Sequence, residues 1–129
     1  MREKIIEELN RIEKEEHIRI LLAVESGSRA WGFAGSDSDY DVRFIYVRDK
    51  DFYLRLDDPR DVIEYPIDDL LDINGWDLSK TLKLIYSSNP TLFEWLESPI
   101  VYKTTPEIEE LRNISKKYFS KVKMINHYY

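Results

Sequence analysis

Residues 3–17 place Ile5, Ile6, Leu9 and Ile12 at helical spacing, with Glu, Lys and Arg in most other positions. Apolar residues three and four apart share one face of a helix, so this stretch predicts an amphipathic helix laid on a flat surface. Residues 18–24, IRILLAV, are almost wholly apolar and of strand length. Such a run suits an interior strand covered on both faces. In residues 39–47 the pattern changes to alternation, with Tyr40, Val42, Phe44 and Tyr46 on one side of a second strand.

Residues 49–60 are polar and contain Asp58-Pro59, which reads as a loop or hairpin connection. Val62, Ile63 and Tyr65 suggest a third strand ended by Pro66. Residues 70–73 suggest a short fourth strand, which Asn74-Gly75 should break. Asp77 stands where the N-cap of a helix is expected, and Leu78, Leu82 and Ile85 would form that helix's buried face until it ends near Asn89-Pro90. Thr91 and Glu94 have capping-box spacing for a short helix with Leu92, Phe93, Trp95 and Leu96 mostly in the core. Ser98-Pro99 stops it, and residues 100–102 suggest a brief extended segment. Thr105-Pro106 then opens a long helix marked by Ile108, Leu111, Ile114, Tyr118, Phe119, Val122 and Ile125.

Strands come early, helices flank and follow them, and connections between strands are short. The expected fold is therefore α+β, a small mixed β-sheet with flanking helices packed mainly on one side, ending in a helical C-terminal segment. No internal repeat is visible. Residues 1–103 would form the core and residues 104–129 the C-terminal helix. Because the apolar pattern still runs at Tyr129, a homo-oligomer contact through that helix is expected.

The length of 129 residues suits one domain, and no apolar run approaches the roughly 20 residues that span a bilayer, so no membrane partner is expected. The charged N-terminus lacks the apolar core of a signal peptide, and the absence of cysteine excludes disulfides and thiolate metal sites. A cytoplasmic location is the simplest expectation. The formal net charge of −6 argues against a broad, sequence-independent nucleic-acid surface. Arg112, Lys116, Lys117, Lys121 and Lys123 cluster near the end, a pattern better explained by a solvated helix face.

The candidate chemistry lies in residues 25–47, ESGSRAWGFAGSDSDYDVRFIYV. Side chains at i and i+2 of a strand point the same way, so Asp39 and Asp41 would present two carboxylates on one face. Paired carboxylates can hold Mg²⁺, which prefers oxygen ligands and commonly binds one or two carboxylates together with substrate phosphates. Gly27 allows close backbone approach at a turn, and Ser28 and Arg29 add a hydroxyl donor and a charge. Together they would cradle the phosphates of a nucleotide. Taken alone, an Asp-x-Asp is usually a solvated strand end and a Gly-Ser turn says less. The order strand, Gly-Ser turn, small-residue linker and acidic pair is what carries the reading.

That order, Gly27-Ser28 followed by Ser38-Asp39-Tyr40-Asp41-Val42, resembles the signature of the DNA polymerase β-like nucleotidyltransferase superfamily. The longer string of residues 25–47, with Gly75-Trp76-Asp77-Leu78, Ser88-Asn89-Pro90, Glu94-Trp95-Leu96 and Ser98-Pro99-Ile100-Val101-Tyr102, resembles a bacterial and phage family of nucleotidyltransferases linked to RNA repair. The resemblance covers roughly residues 18–129. It implies a short mixed sheet with flanking helices and a metal-dependent site, using Mg²⁺ or Mn²⁺. The implied activity is transfer of a nucleoside monophosphate from a nucleoside triphosphate, ATP among the candidates, to a hydroxyl, with RNA the expected acceptor. Gly27 and Ser28 would hold triphosphate oxygens and Asp39 and Asp41 would ligate the metals. A third carboxylate is implied on a neighbouring strand, for which Asp72 is favoured over Asp77, the latter being better explained as a helix cap.

Lys80 could reach a phosphate, although a surface lysine is the plainer reading. Trp31, Trp76 and Tyr40 are candidates to stack on a base, against the commoner role of core packing. His17 and His127 show no ligand spacing. Members of the family generally continue into a helical region that helps bind the acceptor, so acceptor binding by residues 1–129 alone is expected to be incomplete. Two other functions fit the same residues. One is a catalytically silent nucleotide-binding regulatory module, and the other is AMP transfer to a protein hydroxyl.

Overall fold

The structure, a computed structural model, describes residues 2–26, 40–54, 60–66, 71–87 and 89–128. Helix α1 (Arg2–Glu16) leads into strand β1 (Arg19–Glu25), and β2 (Tyr40–Val47) returns beside it. A short helix α2 (Lys50–Tyr53) precedes β3 (Val62–Pro66) and β4 (Leu71–Asp77). Then come α3 (Leu78–Tyr86), α4 (Pro90–Glu97), β5 (Val101–Thr104) and the long α5 (Glu107–Tyr128). Among the described residues the strands form one sheet in the order β3-β4-β2-β1-β5. Its pairings are antiparallel except for β2 with β4, which is parallel, so the sheet is mixed as expected.

Alternation along the strands sorts the core into two layers. Ile5, Leu9 and Ile12 of α1 pack with Val42, Phe44, Tyr46, Leu71 and Ile73 on one face. The opposite face carries Leu22, Val24 and Ile45 against Ile85, Leu92, Trp95, Leu96, Ile108 and Leu111 of α3, α4 and α5. Among the described residues, helices therefore cover both faces, α1 packing on one and α3, α4 and α5 on the other. The nearly continuous burial of β1, exposed only at Arg19, follows from this double cover. His17, at φ 54°, turns the chain out of α1 into that strand. Among the described residues no helix is long and apolar enough to cross a membrane.

Three local expectations need correction. Asn74-Gly75 does not break the fourth strand, and β4 continues through it to Asp77. Gly75 lies opposite Phe44 in the ladder, and a Cβ there would fall 2.2 Å from Phe44 Cε2. The glycine is the space into which that ring packs. Helix α4 is capped by Asn89 and not by a Thr91–Glu94 box: Leu92 N–H donates to Asn89 Oδ1 at 3.1 Å, and Pro90 occupies the first turn. Leu82 and Ile114 are exposed, because α3 and α5 each meet the sheet along a narrower stripe than their apolar spacing suggested.

Candidate active site

Strand β2 presents Asp41, Arg43 and Ile45 toward the layer of α3–α5, since its even-numbered residues are packed against α1. Parallel pairing sets Asp41 opposite Asp72 and Arg43 opposite Asn74. Residues paired across a ladder point to the same face on strands about 4.8 Å apart, so the two carboxylates are neighbours. Both are partly open to solvent, with side chains 38% and 44% exposed.

Between them sits the more buried Arg43 guanidinium, which connects the pair. Its Nη2 donates to Asp72 Oδ2 at 3.1 Å and lies 3.9 Å from Asp41 Oδ1. Its Nη1 donates to the backbone oxygens of Val42 at 2.9 Å and Asp72 at 3.2 Å. Asn74 Nδ2 adds longer contacts of 3.4 Å to both Asp72 oxygens.

Glu25, the last residue of β1, fixes this end of β2 from the other side. It is fully buried, and its Oε2 accepts the Asp41 backbone N–H at 2.8 Å while its Oε1 accepts from Tyr102 Oη at 2.9 Å. Ser98 Oγ donates to the Glu25 carbonyl at 2.6 Å, and the next residue, Ser26, donates its N–H to the Asp41 carbonyl at 2.9 Å. The backbone leaving β1 at Ser26 is thus tied to the same residue that carries the acid. Burial, then the bond to Glu25, pushes the Tyr102 phenol well above its ordinary range.

A groove of about 350 Å³ opens on this face between the β3–β4 edge and α4. Arg43, Asn74 and Trp76 line its sheet side, and Thr91, Glu94 and Trp95 its helix side. Trp76 and Trp95 stack on one another with centroids 3.8 Å apart, and the Lys80 ammonium lies 5.8 Å from the Trp76 ring centroid.

Asp77 is placed otherwise. It is 2% exposed, and it pairs in the ladder with Tyr46, on the α1 face and away from Asp41 and Asp72. It caps α3 by accepting Ser79 N–H at 2.8 Å and also accepts from Tyr53 Oη at 3.1 Å. Tyr40 packs against the α1 layer. Gly27, Ser28, Arg29, Trp31 and Asp39 lie outside the described residues. Among the described residues no group of three or more His, Asp or Glu side chains forms a metal cluster. Asp41 and Asp72 are nonetheless chemically suited to a hard divalent cation: both offer partly exposed carboxylate oxygens on one face, and together they already share one positive group.

Sequence reasoning passed over Arg43, Glu25 and Asn74. The i, i+2 rule applied to Asp39 and Asp41 extends by one step to Arg43, so that signal was present. Glu25 ends an apolar strand, where a buried acid carries no periodic mark.

The profile of a family described as RlaP, RNA repair pathway DNA polymerase beta family, matches residues 1–129. The chain belongs to this family. Its polymerase beta assignment agrees with the mixed sheet and flanking helices described above. The Bacillus subtilis (strain 168) protein named "Uncharacterized protein YcgL" is 54% identical over 129 residues, covering 99% of this chain and 50% of that protein. The chain spans about half the length of this relative. No solved structure matches it.

Proposed function

We propose that the protein is a nucleotidyltransferase that moves a nucleoside monophosphate from a nucleoside triphosphate to a hydroxyl of RNA. The observation that carries this reading is the in-register pairing of Asp41 with Asp72 on one face of the sheet, in a chain of the RNA repair pathway polymerase beta family. In this reading Asp41, Asp72 and Asp39 supply the acidic set, Gly27, Ser28 and Arg29 receive the triphosphate, and Asp77 is a structural cap. Lys80, whose ammonium lies 5.8 Å from the ring centroid of the groove-lining Trp76, is a secondary candidate to reach a phosphate.

In the transfer itself, the acceptor oxygen forms a bond to the α-phosphorus as the bond from that phosphorus to the β-bridging oxygen breaks. Pyrophosphate leaves with the electron pair, and the hydroxyl proton passes to Asp72 or through water to solvent. Mg²⁺ or Mn²⁺, held by Asp39, Asp41 and Asp72, would supply positive charge at the triphosphate and at the acceptor oxygen. Arg43 and Glu25 hold Asp41 and Asp72 in place for this chemistry.

Incubation with each labelled triphosphate, Mg²⁺ or Mn²⁺, and mixed RNA and protein acceptors tests the proposal. The expected result is label in RNA with release of pyrophosphate, both lost in Asp41→Ala. Label appearing on protein would replace the acceptor. Nucleotide binding without pyrophosphate release, here and in a longer chain, would support a silent regulatory module instead.

A further inference from the structure

We infer that Arg43 is an internal counter-cation that makes divalent metal binding at Asp41 and Asp72 depend on the nucleotide. The inference rests on the nucleotidyltransferase reading of the same carboxylates. Arg43 is more buried than either acid, its side chain being 18% exposed against 38% for Asp41 and 44% for Asp72, so the carboxylates are the more solvent-accessible groups. Its Nη1 is anchored by the carbonyls of Val42 and Asp72 while its Nη2 faces the two acids. Those carbonyl bonds do not depend on the carboxylates and hold the positive charge in place when a second cation arrives.

Two effects of Arg43 on a metal oppose each other. Ordering two half-exposed carboxylates favours binding, but fixing a pair of short side chains is worth less than a factor of about ten. Repulsion between this fixed unit charge and a divalent ion held by carboxylates that lie 3.1 and 3.9 Å from it would be worth roughly tenfold or more even at the dielectric constant of water, and would increase with burial. Repulsion wins, so the metal binds weakly alone. A triphosphate brings several negative charges, offsets the guanidinium and completes the oxygen ligands. Metal and nucleotide then enter together, which limits idle metal occupancy of the site.

Mn²⁺ binding followed by electron paramagnetic resonance tests this without turnover. The comparison is between the wild-type chain, Arg43→Gln and Arg43→Lys, each with and without α,β-methylene ATP. Expected is Mn²⁺ binding to Arg43→Gln about tenfold or more tighter than to wild type in the absence of the analogue, with Arg43→Lys close to wild type. The analogue should then tighten Mn²⁺ binding more in wild type than in Arg43→Gln. Equal or weaker Mn²⁺ binding by Arg43→Gln without the analogue overturns the role given to Arg43. Should Arg43→Gln lose its circular dichroism spectrum, Arg43→Met, which keeps the apolar stem, takes its place under the same criteria. Asp41→Asn separates the two levels of the argument. If it leaves Mn²⁺ binding in the presence of the analogue unchanged, the metal-site reading itself fails.

Discussion

The carboxylate of Glu25 accepts the backbone N–H of Asp41 at 2.8 Å, so a fully buried acid at the end of β1 holds the main chain of the candidate metal ligand on β2. Its second oxygen is occupied by the Tyr102 hydroxyl of β5. Removing Glu25 leaves two partly buried donors without this acceptor. Glu25→Ala should therefore cost about 2–4 kcal/mol in urea denaturation. Glu25→Gln, which keeps an acceptor for one donor and offers N–H to the phenol oxygen, should cost about 1 kcal/mol and retain most transfer activity. If Gln and Ala prove equally destabilising, the hydrogen-bond account of this junction is wrong.

Asp72 and Asp77 should respond in opposite ways. Asp72→Asn and Asp41→Asn alter partly exposed groups and should change stability by no more than about 1 kcal/mol. Transfer should fall about a hundredfold or more. Asp77→Ala removes a buried cap and the Tyr53 partner, at a cost of about 2 kcal/mol. Its activity per folded molecule should stay near wild type. Parallel thermal melts and pyrophosphate-release assays on the three variants decide the matter, and an inactive but fully stable Asp77→Ala would reverse the assignment.

Gly75→Ala places a methyl group against the buried Phe44 ring, with the nearest ring carbon 2.2 Å from the added Cβ. Because Phe44 is enclosed by the α1 layer, the ring has no open space to swing into. A loss of about 1–3 kcal/mol is expected. Phe44→Leu frees part of that volume, so in a double-mutant cycle the Gly75→Ala penalty should shrink in its presence. Additive penalties would mean that the ring is not what excludes a side chain.

The tyrosines predict alkaline lability. Burial, followed by the Asp77 charge, pushes the Tyr46 phenol well up, and burial with the Glu25 hydrogen bond does the same to Tyr102. Tyr65, through its bond to Glu16 and then burial, is pushed from 10.0 up to about 12. A phenol whose folded value exceeds its unfolded one keeps its proton in the native state after the unfolded chain has lost it. Its stabilising contribution is complete below about pH 10 and is lost as pH rises from there toward the folded value. Melting temperature should be level to about pH 9.5 and fall steeply above it. Tyr102→Phe should lower the plateau but make the alkaline decline shallower, and an unchanged slope would remove Tyr102 from the explanation.

Much of the fold was legible because burial leaves a local mark. The spacing of Ile5, Leu9 and Ile12 located α1, and the unbroken apolar run located β1 as a doubly covered strand. Asp77 read correctly as a cap because an acid directly before a helix has few other uses. Gly75 misled for a physical reason: a glycine that breaks a strand and one that admits a ring from the neighbouring strand look the same until the neighbour is known. The Thr91–Glu94 box had the right spacing, but Asn89 followed by Pro90 offered an earlier cap that the chain uses.

The sequence by itself determined the periodicity of the main elements, the face of β2 that carries Asp41 and the family to which the chain belongs. Tertiary structure decided which distant side chains meet. Parallel pairing of β2 with β4 brought Asp72, and not Asp77, beside Asp41 with Arg43 in reach of both acids, and the antiparallel pairing of β1 with β2, together with Tyr102 of β5, enclosed Glu25. The reason is that side-chain direction follows from local backbone geometry, whereas partnership across a sheet depends on strand order and register, which are settled only when both layers of the core pack together.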